Sequence, residues 1–139
     1  DLIKELESFR SKAYPDPASR DGKPFTIGYG RAHGVKEGDI CTPEQAEQWL
    51  REDVQDAEDC INDHVTVPLS QHAYDALVSF IYNLGCGEFE HSTLLKLLNQ
   101  GDRKGAANEF HKWVYADGHI SRGLQNRRER EGHVFRHGY

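Results

Sequence analysis

The segment SQHAYDALVSFIYNLG, residues 70–85, constrains the fold of this chain more than any other segment. Its apolar residues recur at helical spacing but cover nearly the whole circumference instead of one stripe. They are Ala73, Tyr74, Ala76, Leu77, Val78, Phe80, Ile81 and Leu84. A helix that is apolar on nearly all sides has to be covered by protein on nearly all sides. We therefore predict that the chain folds around this helix, which starts after Ser70 and ends at Gly85.

Length and composition limit the classes to which the chain can belong. With 139 residues we expect one domain, residues 1–139, that buries about two-thirds of the surface exposed by the unfolded chain. No apolar run approaches the roughly 20 residues that span a bilayer, so we expect no stable membrane insertion. The net charge of -6 argues against generic nucleic-acid binding. An export or anchor segment ahead of Asp1 is compatible with the sequence.

Acidic and basic residues are distributed unevenly along the chain. Residues 36–63 are rich in acids, with Lys36 and Arg51 as their bases, whereas bases outnumber acids after residue 102. We favour the interpretation that these are two solvated helix faces. The alternative is an acidic lobe and a basic lobe on either side of a cleft.

The cysteines and histidines do not form a recognised metal or disulfide pattern. The chain has an odd number of cysteines without a C-x-x-C pair, namely Cys41, Cys60 and Cys86. We expect three reduced cysteines, with one bridge and a spare thiol as the alternative. His133 and His137 are four residues apart but lack the H-E-x-x-H acid, and a predicted helix boundary separates His64 from His72. We therefore expect no metal site.

Local signals predict a mostly helical chain with one small β element near its N-terminus. An apolar stripe predicts a first helix over residues 2–12. Prolines and glycines then predict a small hairpin or meander over residues 14–31. The predicted fold class is α+β. Later helices are expected to begin at Thr42, at Ser92 or Thr93, and at Asp102, and a last helix to cover residues 124–136.

Three polar residues near the N-terminus fall on three different local structures. Glu7 lies at the edge of the first apolar stripe, Asp16 lies between two prolines, and Thr26 lies in a strand-like segment. Each has an ordinary explanation alone: a surface glutamate, a turn residue and a strand threonine. Together they match inverting glycosidases, in which one carboxyl protonates the leaving oxygen and another activates water from the opposite face. A threonine hydroxyl beside the second acid would help to hold that water.

The same segment resembles a family signature. The strings E-S-F-R-S-K-A-Y-P-D and T-I-G-Y-G resemble the pattern E-G-x-R-x-x-A-Y-x-D, a short turn and T-I-G-Y-G-H. That pattern is typical of phage-type lysozymes (endolysins), glycoside hydrolase family 24. Residues 76–101 and 106–135 are similar to the family's central helix and to its closing G-L-x-x-R-R-x-x-E segment. The resemblance implies a lysozyme-like fold with a cleft between two lobes.

The resemblance also implies an activity and a role for each matching residue. The expected reaction is cleavage of the β-1,4 bond between N-acetylmuramic acid and N-acetylglucosamine in peptidoglycan, without a cofactor, for bacterial cell lysis. Glu7 would protonate the leaving oxygen, and Asp16 with Thr26 would position or activate water. Arg127 would reach back toward the glutamate, and Tyr82 would line the saccharide cleft. Thr93 matches a second cleft position.

The resemblance implies partners and a place of action as well. The expected partners are peptidoglycan glycan strands and no nucleic acid, and the expected state is a monomer. The family is made in the bacterial host cytoplasm and acts on the cell wall in the periplasm.

Several alternatives stay open from the sequence. Asp21, five residues before Thr26, is a rival second acid, although the A-Y-x-D context favours Asp16. Tyr82 is equally well explained by core packing, and Arg128 and Arg130 by the surface of the last helix. At the level of function, the alternatives are a lytic transglycosylase, which needs one glutamate only, and a non-catalytic module for peptidoglycan binding or localisation.

Overall fold

A computed structural model describes residues 2–7, 10–15, 25–29, 35, 38–116 and 118–138, with backbone alone at 10, 11, 13–15, 25–27 and 116. The helices and strands lie in this order: α1 Leu2–Leu6, β1 Arg10–Pro15, β2 Phe25–Gly28, α2 Pro43–His64, α3 Gln71–Leu84, α4 Cys86–Glu90, α5 Thr93–Asn99, α6 Arg103–Glu109, a 3₁₀ helix Phe110–Lys112, β3 Tyr115–Ala116, β4 His119–Ile120 and α7 Arg122–His137. The fold is mostly helical with small β elements, which confirms the α+β prediction.

Helix α3 is the centre of the core, as the sequence predicts. Ala76, Leu77 and Phe80 are fully buried in it, and α2, α1 and α7 pack around it. The Phe80 ring meets the rings of Phe110 and Trp113 edge to face, at centroid distances of 5.1 and 6.1 Å. Such edge-to-face pairs favour ordered packing over a loose apolar interior.

The predicted helix starts are confirmed by their capping hydrogen bonds. Thr42 Oγ1 accepts from the Gln45 amide at 3.1 Å, and Ser70 Oγ accepts from the Ala73 amide at 3.3 Å. Ser92, Asp102 and Ser121 cap α5, α6 and α7 in the same way. Each cap satisfies an amide that the first helical turn leaves unpaired. In the part of the chain that the structure describes, none of these helices has the length and hydropathy to cross a membrane.

The prediction of a first helix over residues 2–12 is wrong. Helix α1 ends at Leu6, and Arg10–Pro15 is already a strand that pairs antiparallel with Phe25–Gly28. The hairpin predicted over residues 14–31 therefore exists but begins earlier. Pairing with β2 overrides the helical periodicity of the intervening residues, because periodicity is only a local preference.

Gly28 is required where this hairpin meets α2. Its φ is +65°, and a Cβ placed there would lie 3.2 Å from Ala46 Cβ on α2. A side chain is therefore disfavoured both by the backbone conformation and by the close approach. The chain also returns to the hairpin through an antiparallel bridge between Lys12 and Ile40.

The expectation of three reduced cysteines is wrong. Cys60 on α2 and Cys86 at the start of α4 form a disulfide with a Cα–Cα distance of 5.9 Å. Cys41 is buried and is not part of a disulfide, and burial raises the pKa of its thiol. The sequence gives no pairing motif because the two bonded cysteines meet only through the packing of α4 on α2.

Reduction of the Cys60–Cys86 disulfide is expected to lower the free energy of unfolding by about 3.5 kcal/mol in metal-free buffer. The bridge closes a sequence separation of 26 residues, and loop-closure entropy of the unfolded chain scales with that length. Urea denaturation of oxidised and reduced protein measures the difference. The variant Cys41→Ser should show the same difference between its two states, and equal midpoints for the oxidised and reduced protein would contradict the expectation.

Candidate active site

Glu7 lies immediately after the last residue of α1. Its amide donates to the Ile3 carbonyl at 2.7 Å, so the backbone still closes the last helical turn. Its side chain is 20% exposed, while Leu2 and Ile3 of the same helix are buried in the core. The carboxylate is thus held at the protein surface with one side against protein. The carboxylate can therefore be held by protein on one side and reach a bound substrate on the other, as a group that transfers a proton to substrate has to.

Two exposed ion pairs join α1, the short helix just before Glu7, to α2 and α7. Lys4 Nζ lies 2.7 Å from Glu47 Oε2 on α2, and Arg130 Nε donates to Glu5 Oε2 at 2.7 Å from α7. The hydrogen bond from Arg130 lowers the pKa of Glu5. A helix of five residues is not stable alone, so α1 depends on its packing for its orientation, and these exposed ion pairs add little to it.

Arg127 is the residue that contacts Glu7 from the last helix. Its Nη1 lies 3.3 Å from Glu7 Oε2, while its Nε donates to Glu131 Oε2 at 3.1 Å and its Nη2 to the Ser79 carbonyl at 3.1 Å. Only 7% of the Arg127 side chain is exposed. Burial alone lowers the pKa of this guanidinium, but the carboxylates of Glu131 and Glu7 raise it above its ordinary value. Arg127 therefore stays charged and points one N–H at Glu7.

Glu131 is the hub of a buried polar network that the sequence analysis did not single out. It is fully buried and accepts from Ser79 Oγ at 2.5 Å, from Arg127 Nε at 3.1 Å and from Arg128 Nη1 at 2.6 Å. Arg128 is 1% exposed and also donates to Asn83 Oδ1 and to the Trp113 carbonyl. The interpretation of Arg128 as a surface arginine is therefore wrong. The signal available in the sequence was the R-R-x-x-E spacing, which places both arginines within one turn of the glutamate.

This network changes the interpretation of the charge distribution. The exposed face of α2 is acidic, as the solvated-face interpretation predicts. Two bases of α7, Arg127 and Arg128, are instead inside the protein, paired with Glu131 and Glu7. Part of the basic C-terminal segment therefore lies inside the protein, where Arg127 contacts Glu7 at the end of α1.

Tyr82 packs against the core, which is one of the two explanations that the sequence left open, and its place in a saccharide cleft stays a prediction. It is half-buried and packs against the core, and its hydroxyl donates to the Tyr29 carbonyl at 2.7 Å, one residue past β2. It thereby ties the end of the first hairpin to the central helix.

The remaining candidates are Thr93, Thr26, Asp16 and Asp21. Thr93 is the exposed first residue of α5, and its hydroxyl has no hydrogen-bond partner among the described residues. The backbone of Thr26 pairs with Tyr14, two positions before Asp16 in the chain. Both Asp16 and Asp21 lie outside the described residues. The structure thus brings Glu7 and Arg127 together, while the second acid stays a prediction.

Tyr82→Phe is expected to lower the free energy of unfolding by about 0.5–1.5 kcal/mol, because the Tyr29 carbonyl loses its donor. It is also expected to speed amide exchange in residues 25–29. Tyr74→Phe on the same helix is the matched control, since its hydroxyl donates to Glu58 on α2 at 3.1 Å instead. If both variants leave exchange in residues 25–29 unchanged, Tyr82 does not anchor the hairpin.

Comparisons with known proteins identify the family of this chain. The family model described as phage lysozyme matches residues 4–131. The chain belongs to the phage lysozyme family. It is therefore a lysozyme-type glycoside hydrolase, a muramidase that hydrolyses peptidoglycan in cell lysis.

Individual relatives of this phage lysozyme match most of its length. The endolysin of Acyrthosiphon pisum secondary endosymbiont phage 1 is 44% identical over 138 residues, which cover 96% of this chain and 92% of that protein. A SAR-endolysin of Bacteriophage PS119 is 36% identical over 130 residues, covering 93% and 75%. A further relative is the endolysin of Bacillus phage B103, and the match covers 51% of the length of that protein, so this chain spans about half of it.

Among solved structures, the endolysin from Escherichia coli O157:H7 phage FAHEc1 superposes with a TM-score of 0.83. It is 37% identical in sequence, and the match covers 100% of this phage lysozyme and 90% of that chain. This similarity establishes the lysozyme-like fold that the sequence analysis expected.

Proposed function

We propose that this phage lysozyme cleaves the β-1,4 bond between N-acetylmuramic acid and N-acetylglucosamine with inversion at the anomeric carbon. Glu7 donates a proton to the leaving glycosidic oxygen. Asp16, with the Thr26 hydroxyl, holds and activates a water on the opposite face of the sugar. An inverting site needs its two carboxyls about 6.5–9.5 Å apart to leave room for that water.

The observation that carries this proposal is the contact between Glu7 and Arg127. A general acid has to be held in one orientation toward the leaving oxygen, and it has to be accessible to substrate. The Glu7 carboxylate is 20% exposed, and Arg127 Nη1 holds it at 3.3 Å while Glu131 and Ser79 hold Arg127. Arg127 acts as a positioning residue, and it shares the Glu131 carboxylate with Arg128.

The remaining assignments extend the same proposal. Tyr82 and Thr93 line the saccharide cleft, residues 1–139 act as a single domain, and the protein works as a monomer on glycan strands without nucleic acid. The enzyme is made in the host cytoplasm and acts on the wall in the periplasm. The relatives named SAR-endolysins support export to the cell wall, and the Cys60–Cys86 disulfide suits an oxidising compartment.

The products of digestion test the mechanism. Purified sacculi digested by the wild-type protein are expected to yield muramic acid with a free reducing end, whose first-formed anomer, observed by NMR, is inverted. A 1,6-anhydro end would overturn the proposal in favour of a lytic transglycosylase. Binding to sacculi without any cleavage would indicate a wall-binding module.

Matched substitutions of the two candidate acids test the second half of the mechanism. Asp16→Asn is expected to abolish most hydrolysis, whereas Asp21→Asn is expected to keep it. The opposite result would transfer the role to Asp21. Thr26→Glu is expected to change the anomer or trap a glycosyl adduct, because a carboxylate next to the anomeric carbon can act as a nucleophile. Unchanged anomer and no adduct would place Thr26 away from the sugar.

A further inference from the structure

A second cluster of reactive side chains lies between α2 and α4, outside the proposed active site. Cys60 and His64 are four residues apart near the end of α2, and Cys86 and Glu90 are four residues apart on α4. Residues at this spacing share one face of a helix. Each helix therefore presents one sulfur and one further ligand type to the other. The sulfurs of Cys60 and Cys86 and one ring nitrogen of His64 all lie within 4.8 Å of one another.

Glu90 adjoins this group of three through its contact with His64. Its Oε2 lies 3.2 Å from His64 Nε2. In a tetrahedral zinc site, with Zn–N and Zn–O distances near 2.1 Å, neighbouring nitrogen and oxygen ligands lie about 3.4 Å apart. The observed spacing thus fits two ligands on one edge of a tetrahedron.

The burial of the cluster also suits a metal. Cys60 is 3% exposed, Cys86 is half-buried, and the His64 and Glu90 side chains are 33% and 37% exposed. The sulfurs face the protein and the nitrogen and oxygen ligands face solvent. A cation can therefore reach the cluster from solvent, and the protein covers its sulfur side.

We propose that the dithiol form of this protein binds one Zn²⁺ through Cys60, Cys86, His64 and Glu90, in competition with the Cys60–Cys86 disulfide. Thiolate and imidazole ligands select zinc over Mg²⁺ or Ca²⁺, which prefer oxygen. Two thiolates at Zn–S distances of 2.3 Å lie about 3.8 Å apart in a tetrahedral site. The two sulfurs therefore bind zinc only when they are not bonded to each other.

The two states interconvert by a balanced reaction. When zinc binds, the Cys60 and Cys86 thiols each lose a proton to solvent, and the metal stays Zn²⁺. When a low-molecular-weight disulfide oxidises the site, one protein thiolate attacks it and releases a thiolate. The second protein thiolate then attacks the mixed disulfide and releases the other. The two protein sulfurs lose two electrons, the small disulfide gains them, and Zn²⁺ leaves unchanged.

Zinc titration of reduced protein tests the site. The protein used is the Cys41→Ser variant, which lacks the third thiol. It is kept metal-free and reduced under inert gas. Zn²⁺, as the only metal, is added to this protein in the presence of a chromophoric chelator, whose absorbance reports the zinc that the protein has not bound. One equivalent per chain is expected to bind, with a higher melting temperature, and the oxidised protein is expected to bind none. Reduced protein that binds no zinc would overturn the proposal.

Substitutions identify the ligands. Cys60→Ser and Cys86→Ser are each expected to abolish tight binding, His64→Ala to weaken it about 100-fold or more, and Glu90→Gln about 10–100-fold. His111→Ala is the control, because His111 is an exposed histidine on the 3₁₀ helix, and it is expected to leave the affinity unchanged. Zinc affinity that survives Cys86→Ser would place the metal elsewhere and overturn the proposal.

Two further measurements keep the result independent of folding defects. Co²⁺ in place of zinc is expected to give thiolate-to-metal charge-transfer bands and the intense visible bands of a tetrahedral site in the reduced Cys41→Ser protein. Zinc is also expected to slow formation of the Cys60–Cys86 disulfide by oxidised glutathione. Octahedral cobalt bands, or an oxidation rate independent of zinc, would contradict the proposal.

Discussion

Glu7→Gln is expected to lower the rate of peptidoglycan hydrolysis by about 10²–10⁴-fold, the contribution of a general acid. The amide keeps the size of the side chain and an oxygen that accepts from Arg127 Nη1, so the local structure is expected to persist. What the amide lacks is a proton to give to the leaving glycosidic oxygen. A turbidity assay on permeabilised cells measures the loss, and pull-down with sacculi measures whether binding is retained.

Glu5→Gln is the matched control for this experiment. Glu5 lies two positions away on α1 and also pairs with an arginine of α7, but its partner is Arg130 and its side chain is 49% exposed. Loss of an exposed ion pair costs at most about 1 kcal/mol, so Glu5→Gln should keep nearly full activity. If Glu7→Gln retains activity comparable with that of Glu5→Gln, Glu7 is not the general acid.

Glu131→Gln is expected to lower the free energy of unfolding by about 3–5 kcal/mol, because it removes one partner from a buried ionic network. Arg127 and Arg128 would then share a neutral amide in place of a carboxylate that accepts from both, at 3.1 and 2.6 Å. The loss corresponds to a fall of about 10–20 °C in melting temperature for a domain of this size. Calorimetry or thermal denaturation followed by circular dichroism measures it.

Glu129→Gln is the control on the same helix. Glu129 is exposed and two positions from Glu131, so its substitution is expected to change stability by no more than about 0.5 kcal/mol. Similar melting temperatures for the two variants would mean that Glu131 does not hold the arginines in place. The hydrolysis rate of Glu131→Gln, measured well below its melting temperature, is expected to fall as well, since Arg127 positions Glu7.

The parts of the fold that the sequence predicted are those decided by neighbouring residues. Thr42, Ser70 and Ser92 start their helices through hydrogen bonds to amides three positions on. Helix α3 is buried because of its own composition, which no distant residue has to supply. Such signals are contained in a few residues, and a single sequence is enough to find them.

The parts that the sequence missed depend on residues far apart in the chain. The strand Arg10–Pro15 forms because it pairs with β2, although the periodicity of residues 2–12 predicts that its first three residues are helical. The Cys60–Cys86 bridge forms because α4, which was not predicted, packs on α2. Arg128 is buried because Glu131, Asn83 and the Trp113 carbonyl satisfy it, and charge alone predicted exposure.

The candidate site also has residues that were predicted from the sequence and residues that were missed. Glu7 and its contact with Arg127 were expected from the family resemblance, which carries information about distant positions that one sequence lacks. Glu131 and Ser79, which hold Arg127, were missed because a buried glutamate looks like any other glutamate in a helix of low hydropathy. The roles of Asp16 and Thr26 stay predictions.

The ion pair between Glu5 and Arg130 joins two positions that are 125 residues apart. During synthesis the ribosome adds about 5–20 residues per second, so Arg130 follows Glu5 by roughly 6–25 s. Arg127 is synthesised shortly before Arg130. Glu7, which we assign to bond cleavage, is therefore synthesised long before the arginine that contacts it. A nascent chain that has not yet emerged as far as α7 therefore cannot hold Glu7 in place, and wall-cleaving geometry arises only after that helix has left the ribosome.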